Sequence, residues 1–244
     1  MGYEFSGLNE ADVDATVEDV WHAIATGPGI TSWFMGATDV RDGVVQLPFG
    51  PQPITISEPG HRFAYRGETE PDGRFIAFDY LIEGREGGST SIRLVSNGFV
   101  PGDDWADEFD AMTKGGAMFF ATLIEYLNHF AGRVGTPMSA SSSAVDDWDS
   151  ACDALGRALG LSGLPKPGDA VRMAIHGRSV DGTVYFTNEH TFGVRASDGL
   201  YRFVKAFQPG GHGPMLAMHI LFGADVDVPD EERAWSTWLA NAIG

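Results

Sequence analysis

WADEFDAMTKGGAMFFATLIEYLNHFAGR, residues 105–133, decides the fold of at least the first half of this chain. Trp105, Phe109, Met112, Phe119, Phe120, Leu123, Tyr126, Leu127 and Phe130 recur so that they share one stripe at a period near 3.6. Asp107, Glu108, Asp110, Lys114, Glu125 and Asn128 fall outside the stripe and face water. Asp103 and Asp104 stand where an N-cap accepts orphan amide hydrogens, and acids there suit the positive end of the helix dipole. Gly132 and Arg133 make a stop, a glycine able to turn left-handed beside a cation at the negative end. Gly115 and Gly116 run against propensity, each costing about 1 kcal/mol relative to alanine. Either the helix bends there or something comes close to its backbone.

A helix with so broad an apolar face needs a broad partner, and the preceding residues supply one. Tyr3–Leu8 alternates as a first strand. Ala15–Thr26 is a helix with Val17, Val20, Trp21 and Ile24 on its apolar face, broken by Gly27-Pro28-Gly29, and Ile30–Phe34 is a short turn carrying two aromatics. Six strand-like segments follow at Ala37–Val40, Val44–Phe49, Ile54–Glu58, Arg62–Gly67, Arg74–Gly84 and Ser89–Phe99. Asp42-Gly43, Pro59-Gly60, Pro71-Asp72-Gly73 and Gly87-Gly88 are the turns between them, so short that an antiparallel meander is the natural topology. The expected fold is α+β, a curved antiparallel sheet wrapped round the long helix.

The stretch Ala15-Thr16-Val17-Glu18-Asp19-Val20-Trp21, with Trp33-Phe34, resembles the opening of the START-like (SRPBCC) superfamily. Within it the resemblance is to the branch named for the activator of the ninety-kilodalton heat-shock protein's ATPase. Phe78-Asp79-Tyr80, Thr90-Ser91-Ile92-Arg93-Leu94, Gly98-Phe99, Trp105, Phe120, Leu123, Tyr126 and Leu127 continue it, over residues 1 to about 133. The resemblance implies a helix-grip fold with an internal cavity, used by different members to bind lipids, polyketides or hormones, or to touch a chaperone. It also implies the walls of that cavity. Trp33 and Phe34 would stand at its mouth, Phe63, Tyr65, Phe78 and Tyr80 on the sheet, and Met112, Gly116, Phe119, Phe120 and Leu123 on the helix. One departure matters: where the family has Gly-Trp, this chain reads Gly115-Gly116, which leaves a void, widens the cavity or admits another group.

Val134–Asp146 is small and polar without periodicity and reads as a linker between a domain at 1–133 and one at 147–244. The second part is expected to be a smaller α+β domain. Its helices are marked by Trp148, Cys152, Leu155 and Leu159, and by Trp235, Trp238, Leu239 and Ile243 over 230–243. Its strands fall near 170–177, 182–189, 191–195, 200–207 and 215–222, with Asp181-Gly182 and Asp198-Gly199 as turn dipeptides. Val145–Trp148 echoes Val17–Trp21, and Trp235–Leu239 echoes Leu123–Leu127, so a degenerate second helix-grip unit is the alternative.

Composition narrows the partners. Sixteen basic against thirty-four acidic residues leave a formal charge of −18, which argues against nucleic acid or anionic membrane. Cys152 is the single cysteine, so an internal disulfide and a cysteine-based zinc cluster are excluded. The start has no basic and apolar leader pattern, and no apolar run is long enough to span a bilayer, so the expected location is cytoplasmic. Gly2 with Ser6 fits only the loose myristoylation pattern.

Nothing in the chain specifies a reaction. Gly27-Pro28-Gly29 and Gly210-Gly211-His212-Gly213 lack what a phosphate cradle needs, and there is no Gly-x-Ser-x-Gly elbow or His-Glu-x-x-His helix. His176, His190, His212 and His219, with Glu189 or Asp225, match no ligand spacing, so no metal and no cofactor are expected. Asp79 is a buried acid if Phe75, Ala77, Asp79, Leu81 and Glu83 face inward. It is solvated if Ile76, Phe78, Tyr80 and Ile82 do, and the second face is the cleaner apolar set. The leading expectation is non-catalytic binding of a small hydrophobic ligand in an internal cavity, with a protein partner or a second copy of the chain as further partners. The alternatives are a cyclase or dehydratase acting on a polyketide-like substrate through Asp79, Tyr65 or His61, and a chaperone ATPase activator-like protein.

Overall fold

Connections of two to eight residues stitch six strands of the first unit into a meander. The chain's structure is a computed structural model that describes residues 2–102, 105–163, 165–189, 191–206 and 213–243, with the backbone alone at 105–108 and 111. It divides into two units, Met1–Val134 and Gly135–Gly244. In the first, β1 (Tyr3–Val13) leads to α1 (Val17–Ala25) and α2 (Gly27–Thr31). Six strands follow: β2 (Asp39–Arg41), β3 (Val44–Leu47), β4 (Gly50–Glu58), β5 (Arg62–Arg66), β6 (Phe75–Gly84) and β7 (Thr90–Val100). The long helix α3 spans Trp105–His129. Asp42 and Gly43 both take positive φ (53° and 76°), the backbone that a tight hairpin between right-twisted strands requires. The sheet order is β1-β7-β6-β5-β4-β3-β2, antiparallel throughout, so the first strand closes against the last.

α1 begins at a capping box, in which the Asp19 amide donates to Thr16 Oγ1 (3.1 Å) and the Thr16 amide donates to Asp19 Oδ2 (3.3 Å). Gly27-Pro28-Gly29 forms α2 rather than merely ending α1. Thr26 caps it, and Pro28 occupies the first turn, where its missing N–H costs nothing. The expected N-cap acids Asp103 and Asp104 lie outside the described residues, as do the side chains of Trp105, Asp107 and Glu108.

Strand alternation then sorts the two faces. Phe63, Tyr65, Phe78 and Tyr80 share the inner face, with Tyr65–Phe78 ring centroids 5.3 Å apart and Trp21 of α1 edge-on to Phe63 at 5.7 Å. On the opposite face the Arg62 guanidinium grips Asp79 with two bonds (2.9 and 2.6 Å), and Arg66 lies 4.1 Å above the Phe75 ring. Asp79 is therefore an outer-face residue.

The second unit uses the same strand order. β8 (Thr136–Ala144) is followed by α4 (Trp148–Ala158), then β9 (Ala170–Ile175), β10 (Arg178–Thr187), β11 (Thr191–Ala196), β12 (Gly199–Lys205), β13 (Pro214–Leu221) and α5 (Val228–Ile243). Its sheet runs β8-β13-β12-β11-β10-β9, again with first strand against last. It is thus a second helix-grip unit, shorter by one helix and one strand. Two sequence expectations are corrected. The linker at 134–146 is largely strand β8, with Met138 and Ala140 buried and Ser139, Ser141 and Ser143 exposed; β13 supplies the ladder that so small a strand cannot signal by itself. Asp181-Gly182 is not a turn but lies inside β10, where a Cβ on Gly182 would meet Val194 at 2.6 Å and the Arg195 carbonyl at 2.8 Å. The turn is His176-Gly177, both at positive φ.

Under α5 the core of this unit is filled with rings. Trp235 and Leu239 descend from the helix onto Tyr201, Phe203 and His219 of the sheet, all fully or almost fully buried. Each large side chain removed from water contributes about 1.5–3 kcal/mol. His219 sits 4.2 Å from Trp235, 5.0 Å from Tyr201 and 5.3 Å from Phe203, centroid to centroid. Its Nδ1 accepts from the Arg202 amide (3.1 Å), which leaves the ring proton on Nε2 with no hydrogen-bond partner among the described residues. Burial, and after it the nearby Arg202 cation, holds this imidazole well below the ordinary histidine pKa. The unfolded chain therefore binds a proton below about pH 6.5 that the folded unit refuses. This contribution to stability is complete above that pH and is lost as pH falls, at up to about 1.4 kcal/mol per pH unit. Urea unfolding of the wild type and of His219→Gln between pH 7.5 and 5 checks it: the wild type should lose stability more steeply than the variant, and equal slopes would refute the assignment.

Candidate functional site

The two grips differ in what lies beneath their helices. In the first unit two anchors fix how α3 lies along β1. Near its start Phe109 contacts Tyr3 and Phe5 (5.1 and 5.5 Å between centroids), and near its end Asn128 accepts from the Asp14 amide (2.9 Å). From Phe109 to Asn128 a helix rises about 28 Å, and from Phe5 to Asp14 a strand spans about 30 Å, so helix and strand run side by side in one direction. Gly116, about 10 Å along from Phe109, then lies over the part of β1 near Gly7 and Asn9.

Gly116 belongs to the row that continues as Phe120, Leu123 and Leu127, all buried. By register it faces the sheet, yet it is exposed, and among the described residues no atom lies within 4 Å of where its Cβ would stand. The helix is continuous through both glycines, and among the described residues nothing outside the helix backbone packs on the space beside either of them. The sheet beneath is bare as well. Its inner row carries Gly7 opposite Ser96, and Gly98 opposite Phe5, whose ring would clash with any Cβ on Gly98 at 2.5 Å. Phe5 thus fills its own patch, while Gly7 and Ser96 leave theirs low. Asn9, Ser96, Phe78, Met112 and Phe119 are all half-buried.

The residues expected to line a cavity divide accordingly. Met112, Phe119 and Phe78 are half-buried, and Gly116 is exposed. Phe34 is buried behind Phe119, 4.8 Å between centroids. Trp33 is not at a mouth: it is 2% exposed, and its indole N–H donates to the Ala23 carbonyl (2.9 Å). Phe63, Phe120 and Leu123 are core. Tyr65 and Tyr80 are buried on the inner face with their hydroxyls 3.5 Å apart. Burial raises both phenols, Tyr80 to about 12 and Tyr65 well above its ordinary value. Both stay neutral near pH 7, able to donate a hydrogen bond and unable to serve as a base. Gly7, Asn9 and Ser96 were missed by sequence reasoning, because alternation marks which strand residues are apolar and only the register shows which small ones stand together.

Acid–base candidates are scarce here. Asp79 is held by Arg62 on the outer face, and His61 is exposed in the turn between β4 and β5. Of the three residues considered for catalysis only Tyr65 faces the interior. Among the described residues no three histidine, cysteine, aspartate or glutamate side chains converge as a metal site. His176 is exposed beside Asp230 (3.5 Å), and His190 and His212 lie outside the described residues. No described helix is long and apolar enough to cross a membrane.

The sequence matches no family model, and no curated protein sequence matches it. Solved structures do align. The di-domain aromatase/cyclase BexL from the BE-7585A biosynthetic pathway is 13% identical, over 98% of each chain, at a TM-score of 0.43. DynU16, a protein of the dynemicin biosynthetic locus, is 15% identical over 98% of this chain and 95% of its own, at 0.40. The Aha1 dimer from Colwellia psychrerythraea is 16% identical over 51% of this chain and 96% of its own, at 0.41. At these scores the alignments carry no argument about what this chain does; the strand order carries the fold.

Proposed function

We propose that the first unit binds a small, mostly hydrophobic molecule under the N-terminal half of α3, without chemistry. The observation that carries this is Gly116, which faces the sheet in the apolar row of the helix and, among the described residues, has no atom packed where its Cβ would stand. Apolar walls from Met112, Phe119 and Phe78 favour a flat or branched apolar body. Asn9, Ser96 and the paired hydroxyls of Tyr65 and Tyr80 offer one or two polar handles, the usual composition of a small-molecule pocket. A carbonyl or hydroxyl on the ligand suits those donors. The absence of an inward carboxylate or histidine among these residues favours binding over a cyclase reaction, since a raised phenol orients a carbonyl but does not take a proton from carbon.

An environment-sensitive apolar dye, competed by fatty acids and by polycyclic aromatic ketones, reads the site directly. Gly116→Trp should place an indole in the cleft and abolish dye binding with the fold retained. Gly116→Ala should raise stability by about 0.5–1 kcal/mol, the helix propensity gain, and keep binding. Failure of the wild type to bind any of these compounds, or full binding by Gly116→Trp, sinks the proposal. Tyr65→Phe should weaken a ketone by about 0.5–1.5 kcal/mol, the worth of one hydrogen bond, and leave a hydrocarbon of the same shape unaffected. Equal losses for both would assign Tyr65 to packing alone.

A further inference from the structure

Every sheet edge must be protected or used, because an edge strand presents a row of unpaired amides and carbonyls. Three of the four edges here carry charge: Glu4, Glu10 and Asp12 on β1, Asp39 and Arg41 on β2, and Arg172 on β9. The fourth, β8, reads Thr-Pro-Met-Ser-Ala-Ser-Ser-Ser-Ala and has none. Along it runs a groove of about 820 Å³, bordered by Ser139, Ala140 and Ser141 on the strand and by Glu232, Arg233 and Ser236 on the flank of α5.

The backbone direction at this edge is fixed by one bond. The Ser139 amide donates to Glu232 Oε1 at 3.4 Å, so it points away from β13 and into the groove. In an antiparallel strand the amide and carbonyl of one residue project from the same edge and alternate with the next residue, so Ser141 presents both groups there as well. Ser139 and Ser141 are both exposed at this edge. Charge selects the occupant. Of the acids at the start of α5, Asp230 is paired with Arg233 (3.0 Å) and Glu231 with Arg178 (2.6 Å). Glu232 has no cation at ion-pair distance among the described residues, and it is the carboxylate in the groove.

We propose that β8 adds an extended peptide strand from a partner, carrying a lysine or arginine that takes Glu232. The incoming carbonyl replaces Glu232 at the Ser139 amide, and the freed carboxylate receives the cation. Main-chain pairing supplies the affinity and the single charge its preference.

The test uses the full chain and a capped, fluorescent peptide of alternating valine and lysine. Three comparators accompany it: an N-methylated copy unable to pair, a valine–glutamate counterpart, and the Glu232→Gln and Ser141→Pro variants. Anisotropy should show binding of the lysine peptide alone, and hydrogen exchange should slow at Ser139 and Ser141. Glu232→Gln should weaken it by about twofold to fivefold, the range of an exposed ion pair. Ser141→Pro removes an outward amide, which an edge strand tolerates, and should abolish binding; should that variant unfold, the N-methylated peptide answers the same question in the wild type. Equal binding of the N-methylated or glutamate peptide, unchanged affinity in Glu232→Gln, or no binding of the lysine peptide would overturn the proposal. So would self-association of the chain with protection at β8, because the occupant would then be a second copy.

Discussion

The pairing of the first strand with the last is the constraint on which each unit depends. β1 lies against β7 over its full length, and β8 lies against β13. This closure makes one continuous face out of strands that are neighbours in sequence only pairwise, and gives the terminal helix a floor wide enough for its whole apolar stripe. It also fixes which inner-face residues meet. Phe5 stands over Gly98 and Gly7 beside Ser96 because the β1–β7 register puts them there. Slipping that register by one residue would turn Glu4, Glu10 and Asp12 inward and Phe5 outward, a cost that no local contact could offset.

The meander of the first unit was legible because its signals are local. Asp42-Gly43 demands a tight hairpin, and the apolar alternation of Ile76, Phe78, Tyr80 and Ile82 is clean enough to decide which face of β6 is inner. Asp79 follows from that decision, and Arg62 beside it on the outer face agrees. β8 was not legible, because only Met138 and Ala140 mark its buried face and its partner lies far along the chain. Asp181-Gly182 misled for the opposite reason. The dipeptide is a strong turn signal, but this glycine answers to crowding by Val194 and Arg195 rather than to backbone curvature. The candidate site was half legible: helical register finds Gly116, Phe120 and Leu123 in one row, whereas the low floor at Gly7 and Ser96 exists only once the strands are paired.

One topology serves two interiors. In the second unit Trp235 and Trp238 descend from the helix onto Tyr201, Phe203 and His219, and the space under α5 is occupied by the protein's own rings. In the first, Gly116 lies in the sheet-facing row of α3, and Gly7 stands beside Ser96 on the inner face of the sheet. The helix propensity sacrificed at Gly115 and Gly116 is a standing destabilisation, about 1 kcal/mol each, in exchange for room. The filled core of the other unit shows what the same architecture does with that volume when large side chains are available.

The closure of first strand on last has a consequence for synthesis. As the chain emerges from the ribosome, Tyr3 must wait for Val100 and Thr136 for Leu221 before either finds its partner. Neither sheet can be completed by local contacts, so each unit folds late relative to its own translation, the slow regime of non-local pairing. During that wait β1 carries its acids as protection against mispairing, whereas β8 is uncharged and exposed. Between the making of β8 and that of β13 the chain thus carries an uncharged strand with its partner still to come.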